Sequence, residues 1–223
     1  MANQFSTPVS RSESGVLAQN KVLRQTYTLL AATLLFSGLM AGVSMALAVP
    51  PMFSMVSTIG AIVILMFVLP KFEDQAAGLG IVFLATGMLG FGLGPLLNAY
   101  LALPNGASVV MTAMGGTGAI FLALSAYVLT TKKDFSFMGG FLVAGLMVVF
   151  GAVILSLFVN MPALSLAISG AMVLLMSGFI LFDTSRILNG GETNYIRATV
   201  SLFINIFNLF TSLLHLLGIM SDD

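Results

Sequence analysis

The chain has 223 residues, 58% of them hydrophobic and only 7% charged, and its eight basic side chains balance eight acidic ones. Since an ordinary soluble domain carries roughly 25% charged residues, this composition predicts an integral membrane protein and excludes a soluble one. The zero net charge argues against a nucleic-acid-binding or polybasic face, and the absence of cysteine excludes disulfides, thiolate metal sites and cysteine nucleophiles.

The predicted elements begin with a polar tail over residues 1–24. This tail lacks the apolar core and the small-residue cleavage site of a signal peptide, so it is predicted to be a cytoplasmic tail. Seven apolar runs follow, separated by proline, glycine or charged turns, and each can form a helix of the roughly 20 residues that cross a bilayer. Their approximate limits are 25–49, 52–69, 75–102, 107–131, 137–159, 163–188 and 195–219.

The predicted fold class is an all-α membrane protein, with a single seven-transmembrane-helix bundle over residues 25–219 and a short acidic C-terminus at 220–223. The seventh run is the least apolar, because asparagine, threonine, serine and histidine interrupt it. It is therefore predicted either to span the membrane or to re-enter it.

The basic residues predict the orientation of the bundle. Every lysine and arginine lies in the N-terminal tail, or in or beside the connections after the second, fourth and sixth runs. By the positive-inside rule, the tail and these turns face the cytoplasm. The opposite turns are short and uncharged, so they offer little surface to an extracellular ligand.

Glycines are concentrated in the third run, where Gly90 and Gly94 form a small-xxx-small pair. In lipid, such pairs let helix backbones approach closely, so tight packing is the favoured interpretation. Pro95 adds a second interpretation, because a proline inside a helix frees a carbonyl that can mark a hinge or line a cavity.

Asp183 is the candidate functional residue, since it is a lone carboxylate after a long apolar stretch. An ionisable group in hydrocarbon is costly unless it is paired, hydrated or protonated. One interpretation is a same-face pair with Arg186, three residues further on, near the interface. The other is a proton or cation site, with Asn205 and Asn208 of the next run descending to the same depth. Asp183 is also a weak candidate for binding calcium.

Other polar residues give no sign of an enzyme. No paired histidines, Ser-His-Asp arrangement or dicarboxylate pair stands within the apolar runs, so an intramembrane hydrolase is not expected. His215 is the single histidine, and we predict an interfacial or packing role for it rather than metal binding. No cofactor is predicted, apart from calcium as a permeant or weakly bound ion.

Four segments resemble the Bax inhibitor-1 family, also called the transmembrane Bax inhibitor motif family. They are FLATGMLGFGLGPLLNAY, AYVLTTKKDFSFMGG, ILFDTSRILNGGETNYIRATVSLF and INIFNLFTSLL. The resemblance covers residues 20–219 and is greatest to the bacterial YccA branch. It implies a seven-helix bundle in the bacterial inner membrane, with the last helix central.

The resemblance also implies two activities. One is a pH-sensitive calcium leak, in which two membrane aspartates share a proton. The other, in the YccA branch, is to bind and restrain the membrane-anchored AAA protease FtsH. The first aspartate of the pair corresponds to Asp183, but the second corresponds to Asn205. Because an Asp-Asn pair loses half of the titratable charge, we expect a protease modulator, with a cation leak as the alternative.

The N-terminal tail suggests how a protease could be engaged. At about 3.3 Å per residue, an extended tail of roughly twenty residues reaches tens of ångströms, far enough to enter the pore of an AAA protease. An ordinary disordered terminus is the alternative interpretation.

Overall fold

The structure is a computed structural model that describes residues 9–159 and 161–221. Within that part of the chain the regular structure is helical, with no strand. The seven α-helices are α1 Val9–Ala46, α2 Pro51–Val63, α3 Ala76–Leu101, α4 Gly106–Thr131, α5 Gly139–Ser156, α6 Pro162–Leu188 and α7 Tyr195–Ser221. Seven helical segments are long and apolar enough to cross a membrane, the last of them Tyr195–Met220. The predicted fold class is confirmed.

Most helix boundaries follow from proline and from backbone conformations that end a helix. Pro51 and Pro162 occupy the first positions of α2 and α6. Proline lacks a backbone N–H, and at the first position of a helix that N–H has no partner within the helix in any case. Lys132 ends α4 in the left-handed region at φ 53°. Gly190 follows α6 at φ 76°, a conformation that glycine adopts without steric cost.

The first helix begins earlier than predicted. α1 begins at Val9, within the segment predicted to be a polar tail, and its membrane-crossing part begins at Gln19. The intervening residues, 10–18, include arginine, glutamate, leucine and alanine, which favour helix whether or not lipid surrounds them. The predicted tail at residues 1–8 lies outside the described residues.

The second membrane segment loses regular α-helical geometry before it ends. A single π-helical turn covers Ile64–Val68, and a 3-10 turn covers Leu69–Lys71. The N–H of Leu69 donates to the carbonyl of Ile64, five residues back. Pro70 then supplies no N–H, which favours the change of hydrogen-bond pattern at this point.

The last helix is central, as predicted. α7 packs against α1, α3, α4 and α6, whereas α5 packs against α6 and the short turn before α5. The largest buried cluster includes Phe121, Ile180, Phe203 and Leu209, from α4, α6 and α7. The backbones of α1 and α4 do not approach each other closely, although the rings of Tyr27 and Phe121 lie 6.0 Å apart. An apolar groove of about 440 Å³ lies between the two helices, with α7 as its floor.

Glycines bring α1 and α3 together. A Cβ on Gly90 would collide with the carbonyl oxygen of Ser37, and one on Gly94 would collide with the side chain of Ser44. α3 continues as a helix through Pro95. The structure thus places Gly90 and Gly94 in a packing interface, and a hinge at Pro95 stays a prediction.

The turns define two ends of the bundle. The polar end consists of the α2–α3, α4–α5 and α6–α7 turns, each of which carries at least one charged residue, and Arg186 and Arg197 flank the last of them. The opposite end consists of the α1–α2, α3–α4 and α5–α6 turns.

Candidate functional site

Asp183 lies in α6, little more than a turn before that helix ends, and its side chain is buried at 6% exposure. Its Oδ2 atom accepts a hydrogen bond of 2.7 Å from the hydroxyl of Ser201 and another of 2.7 Å from the amide Nδ2 of Asn205. Two neutral side chains on α7 therefore donate hydrogen bonds to the Asp183 carboxyl group. Neither of them carries a charge.

The antiparallel α6–α7 hairpin explains this arrangement. Ser201 and Asn205 are four residues apart, so they share one face of α7, and that face lies against Asp183. Asn208 is three residues further along and donates instead to the carbonyl of Ile204, at 2.9 Å. Of the two predicted amides, the structure brings Asn205 to Asp183 and leaves Asn208 bonded to its own helix.

Arg186 does not form the ion pair with Asp183 that their spacing allowed. Its guanidinium donates to the carbonyl of Gly191 at 3.1 Å and lies 3.7 Å from a carboxylate oxygen of Glu192. It also lies over the ring of Phe182, at 5.5 Å from the centroid. The turn after α6 folds back over this side chain and brings Glu192 to Arg186. The spacing of residues within α6 could not predict this contact, because Glu192 lies beyond the end of the helix.

A small polar cavity adjoins Asp183 at the polar end. Its volume is about 80 Å³, and it is lined by Asp183, Arg186, Ile187, Glu192, Arg197, Ala198 and Ser201. A water needs about 10–15 Å³ of such volume together with polar partners, so the cavity has room for several. The acidic side chains of Asp183 and Glu192 and the guanidiniums of Arg186 and Arg197 supply polar partners for these waters. The cavity therefore leaves room for water beside Asp183 on the side of the polar end.

The turn above the cavity is fastened to the turn between α2 and α3. Arg197 forms an ion pair with Glu73 and lies 3.8 Å from Glu192. Asn194 donates to a carboxylate oxygen of Asp74 at 2.8 Å, and its own side-chain oxygen accepts from the first backbone N–H groups of α7. The sequence did not predict these contacts, because no shared helix or motif connects the two turns.

Thr184, next to Asp183, faces a different part of the bundle. Its hydroxyl lies 3.4 Å from that of Tyr27 on α1 and 3.5 Å from that of Ser125 on α4. Both Thr184 and Ser125 are buried. Contacts between hydroxyl groups thus join α1, α4 and α6. Without these contacts, the buried hydroxyls would need water as their hydrogen-bond partner.

Ser185 holds the α4–α5 turn against α6. Its hydroxyl accepts a hydrogen bond of 2.8 Å from the backbone N–H of Phe135 and contacts a carboxylate oxygen of Asp134 at 3.3 Å. The pKa of Asp134 lies below its usual value, chiefly because Ser136 donates hydrogen bonds to the ionised carboxylate. The four successive residues Asp183 to Arg186 therefore each make polar contacts with a different set of partners.

His215 lies at the opposite end of the bundle. Its Nδ1 is 3.1 Å from the hydroxyl of Tyr100 on α3, and its Nε2 is 3.3 Å from the hydroxyl of Ser165 on α6. The imidazole is exposed and belongs to no group with Asp183. The interfacial role predicted for His215 stays a prediction, now with defined contacts.

The donor set around Asp183 does not fit a resident calcium ion. Calcium takes six to eight oxygen ligands, whereas Ser201 and Asn205 direct their hydrogens at the Oδ2 atom of Asp183. In the part of the chain that the structure describes, no group of three or more His, Cys, Asp or Glu side chains is arranged to hold a metal.

Comparison with known proteins identifies the family. Residues 19–222 match the family model described as "Inhibitor of apoptosis-promoting Bax1". The chain belongs to the Bax inhibitor-1 family. The resemblance expected from the four sequence segments is thereby confirmed.

Three bacterial proteins are similar to this chain over almost its whole length. A protein of Escherichia coli K12 named "Modulator of FtsH protease YccA" is 47% identical over 214 residues, which are 96% of this chain and 97% of the relative. A protein of Escherichia coli O6:H1 named "Inner membrane protein YccA" has the same identity and coverage. An "Uncharacterized membrane protein" of Vibrio cholerae is 52% identical over 207 residues, 93% of each chain.

Proposed function

We propose that this chain is a regulatory, non-catalytic protein of the bacterial inner membrane that binds and restrains a membrane-anchored AAA protease of the FtsH type. The observation that carries the proposal is the 47% identity over nearly the full length to a relative named as a modulator of that protease. Through the protease, the chain would influence the turnover of other membrane proteins. The relative named as an inner membrane protein supports the location.

The polar end is the surface that we assign to the protease. The positive-inside rule places it, together with the N-terminus, in the cytoplasm. Its three turns are joined by side chains, since Arg197 pairs with Glu73 and Ser185 holds the turn that carries Asp134. A protease would therefore meet one connected surface, with Lys71, Lys132 and Lys133 exposed on it.

The start of α1 refines the proposed role of the N-terminal segment. A helix rises about 1.5 Å per residue, less than half of an extended chain, so helical residues from Val9 onward reach less far than an extended tail. Eight residues precede Val9 and would span at most about 29 Å if extended. We propose that these residues engage the protease and that α1 holds them above the membrane.

The test is degradation of a model membrane substrate by purified FtsH in proteoliposomes, with and without this chain. We expect slower degradation when the chain is present, and co-purification of the two proteins from detergent. Deletion of residues 2–8 and of residues 2–20 should each relieve the inhibition if the segment engages the protease. Full inhibition by both deletion variants would contradict the role of the N-terminal segment. Absence of inhibition and of co-purification with the full chain would contradict the function.

A proton or cation leak is the second candidate function, and calcium enters it as a permeant ion. The observation that favours it is the burial of Asp183 beside a polar cavity of about 80 Å³. The matched variants are Asp183→Asn and Asn205→Asp, the second of which creates two facing carboxylates that cannot both ionise easily.

Ion flux into proteoliposomes, measured over the neutral pH range, tests this candidate. If one carboxylate suffices, flux through the wild-type protein depends on pH and disappears in Asp183→Asn. Tight wild-type vesicles would contradict the leak. A leak that then appears in Asn205→Asp would show that the amide keeps this chain closed.

A further inference from the structure

The apolar groove between α1 and α4 lies at the depth of the membrane hydrocarbon. It follows residues 34–45 of α1, and α3, α4 and α7 supply its other walls. All of these residues belong to segments that are long and apolar enough to cross a membrane. The rings of Tyr27 and Phe121 join α1 to α4 on the polar side of the groove, whereas Met45 and Leu97 line it near the opposite end. The groove therefore ends at a ring pair on one side and extends into the opposite half of the membrane on the other.

Glycines keep the groove open to the side. Gly38 and Gly42 on α1 and Gly118 on α4 line it, and a Cβ on any of the three would meet no atom within 4 Å. Gly90 and Gly94, in contrast, lie directly against α1. The glycines of the groove thus leave space that no other part of the bundle fills, and this space faces the surrounding lipid.

The walls of the groove offer little to water. Among the described residues that line it, the polar side chains are the hydroxyls of Ser37 and Thr117. Both are buried, and Thr117 donates to the carbonyl of Ala113 at 2.7 Å. A buried water needs two to four polar partners, and an apolar cavity of about 150 Å³ stays dry yet binds benzene. Hydrocarbon is therefore the chemistry that fits this groove.

The dimensions of the groove fit one hydrocarbon chain. From Leu34 to Met45, α1 rises about 17 Å, close to half of the roughly 30 Å of bilayer hydrocarbon. Spread over that length, the volume of about 440 Å³ gives a mean cross-section of about 26 Å². A helix about 10 Å across needs about 80 Å². If the six carbons of benzene take about 150 Å³, the groove holds about 18 carbons.

We propose that this groove is a binding site for one acyl chain of a membrane phospholipid. The chain enters from the leaflet at the opposite end of the bundle, and its methyl end lies towards Phe121. The turns at that end carry no charged residue, so the site recognises the chain and not the charge of the head group. By the predicted orientation, this leaflet faces away from the cytoplasm. The proposal is independent of the proposed function.

The absence of tryptophan lets one introduced indole report on the groove. Phe210→Trp places it on the floor of the groove, whereas Phe150→Trp places it on the exposed surface of α5. The probe is phosphatidylcholine with brominated stearoyl chains, which quench tryptophan on contact, titrated into the protein in detergent micelles. We expect half-maximal quenching of Phe210→Trp at a lipid fraction about tenfold lower than that of Phe150→Trp, a ratio that about ten additional carbon contacts provide.

Two variants fill the groove from its walls, and a matched control does not. Gly118→Leu and Gly42→Leu each place a side chain in the groove, whereas Gly115→Leu, on the same helix as Gly118, meets open space outside it. Added to Phe210→Trp, either groove variant should abolish the tenfold difference, and Gly115→Leu should leave it unchanged. Gly42→Leu decides the test even if Gly118→Leu fails to fold.

Mass spectrometry under non-denaturing conditions gives a second measurement without an introduced tryptophan. The wild-type protein and Gly115→Leu should each retain one phospholipid after purification in mild detergent. Gly118→Leu and Gly42→Leu should retain none, because the added leucine takes the place of part of the chain.

Three results would overturn the proposal. One is equal quenching of the two tryptophan variants at every lipid fraction, because the groove would then meet only the lipid that surrounds the whole bundle. Another is a dimer that both groove variants dissociate without a change in retained lipid, which would assign the groove to a second copy of the chain. The third is loss of co-purification with FtsH in the groove variants, again with retained lipid unchanged, which would assign the groove to a membrane helix of the protease.

Discussion

Asp183 illustrates how a buried carboxylate is kept in this bundle. Ser201 and Asn205 satisfy one of its oxygens, and a small cavity lies beside the side chain. An acceptor removed from such a place leaves its donors unsatisfied, which costs about 1–3 kcal/mol for each buried group. The shape of the replacement and its ability to accept hydrogen bonds therefore matter more than the loss of charge alone.

We expect Asp183→Leu to destabilise the protein by about 2–5 kcal/mol, because the Asn205 amide and the Ser201 hydroxyl both lose their acceptor. Asp183→Asn retains an acceptor oxygen and should cost less, about 1–2 kcal/mol. Reversible unfolding in mixed detergent micelles measures the order. Asn208→Leu is the control, since Asn208 bonds within α7. Equal losses for the two Asp183 variants would contradict this account.

A second prediction at the scale of the residue concerns Asp134. Its pKa is lowered in the folded state, so its bonds to Ser136 and Ser185 stabilise the α4–α5 turn above the unfolded-state pKa of about 3.8. That stabilisation is lost as the pH falls through the lower folded-state pKa. The chain has no tryptophan, so Phe137→Trp, at a side chain that is 81% exposed, gives a single fluorescent probe beside this turn.

The fluorescence of Phe137→Trp should stay constant down to about pH 3.8 and change as the pH falls further, through the lowered pKa of Asp134. The change should be absent when Asp134→Asn is added. An identical change with and without Asp134→Asn would show that the carboxylate does not hold the turn.

At the scale of the element, the α1–α3 interface depends on glycines whose missing side chains make space. Gly90 and Gly94 lie against Ser37 and Ser44, whereas Gly38 on α1 has no atom within 4 Å of the position where its Cβ would stand. In lipid, such close approach replaces the hydrophobic effect as the force between helices. Glycine is therefore required for close packing at Gly90 and Gly94, but not at Gly38.

Gly90→Ala should destabilise the protein by about 1–3 kcal/mol, the usual cost of overpacking a fitted interface. Gly38→Ala is its matched control and should be neutral or stabilising by up to about 1 kcal/mol, because alanine is the better helix former. Unfolding in detergent, followed by circular dichroism, compares the two. A Gly90→Ala variant as stable as Gly38→Ala would mean that α1 and α3 can separate without loss.

The sequence predicted elements better than it predicted contacts. Proline, glycine and charged turns located most helix ends within a few residues, but the start of α1 was missed because residues 10–15 are serine, arginine, glutamate and glycine, a polar composition that indicates a tail rather than a helix. The hairpin predicted that Asn205 would lie near Asp183, and hydrophobicity could not show that Ser201 would join them. The pairing of Arg197 with Glu73 spans 124 residues, and no period or motif connects positions so far apart.

At the scale of the whole molecule, the helices differ in how many neighbours restrain them. α7 is surrounded by four helices, while α5 packs against α6 alone among the α-helices. Side chains of α5 such as Phe141, Val148 and Phe150 are exposed to the surroundings of the bundle. Local opening is easiest where the fewest buried contacts must break.

Hydrogen exchange in micelles should therefore rank the helices. We expect the backbone amides of the middle of α7 to exchange slowest and those of α5 to exchange at least tenfold faster, through openings that leave the rest intact. Mass spectrometry of peptides from the two helices measures the ratio. Equal protection of α5 and α7 would mean that the bundle opens only as one unit.

The polar contacts made by the four successive residues Asp183 to Arg186 constrain how the length of the chain can change. Successive residues of an α-helix are rotated by about 100°, so these side chains point around the whole circumference of α6. Inserting or deleting one residue between 163 and 182 would rotate all four against their partners at once. The chain can accommodate insertions and deletions in its turns at the opposite end. In α6, a change of one residue would turn these side chains away from their partners in the bundle.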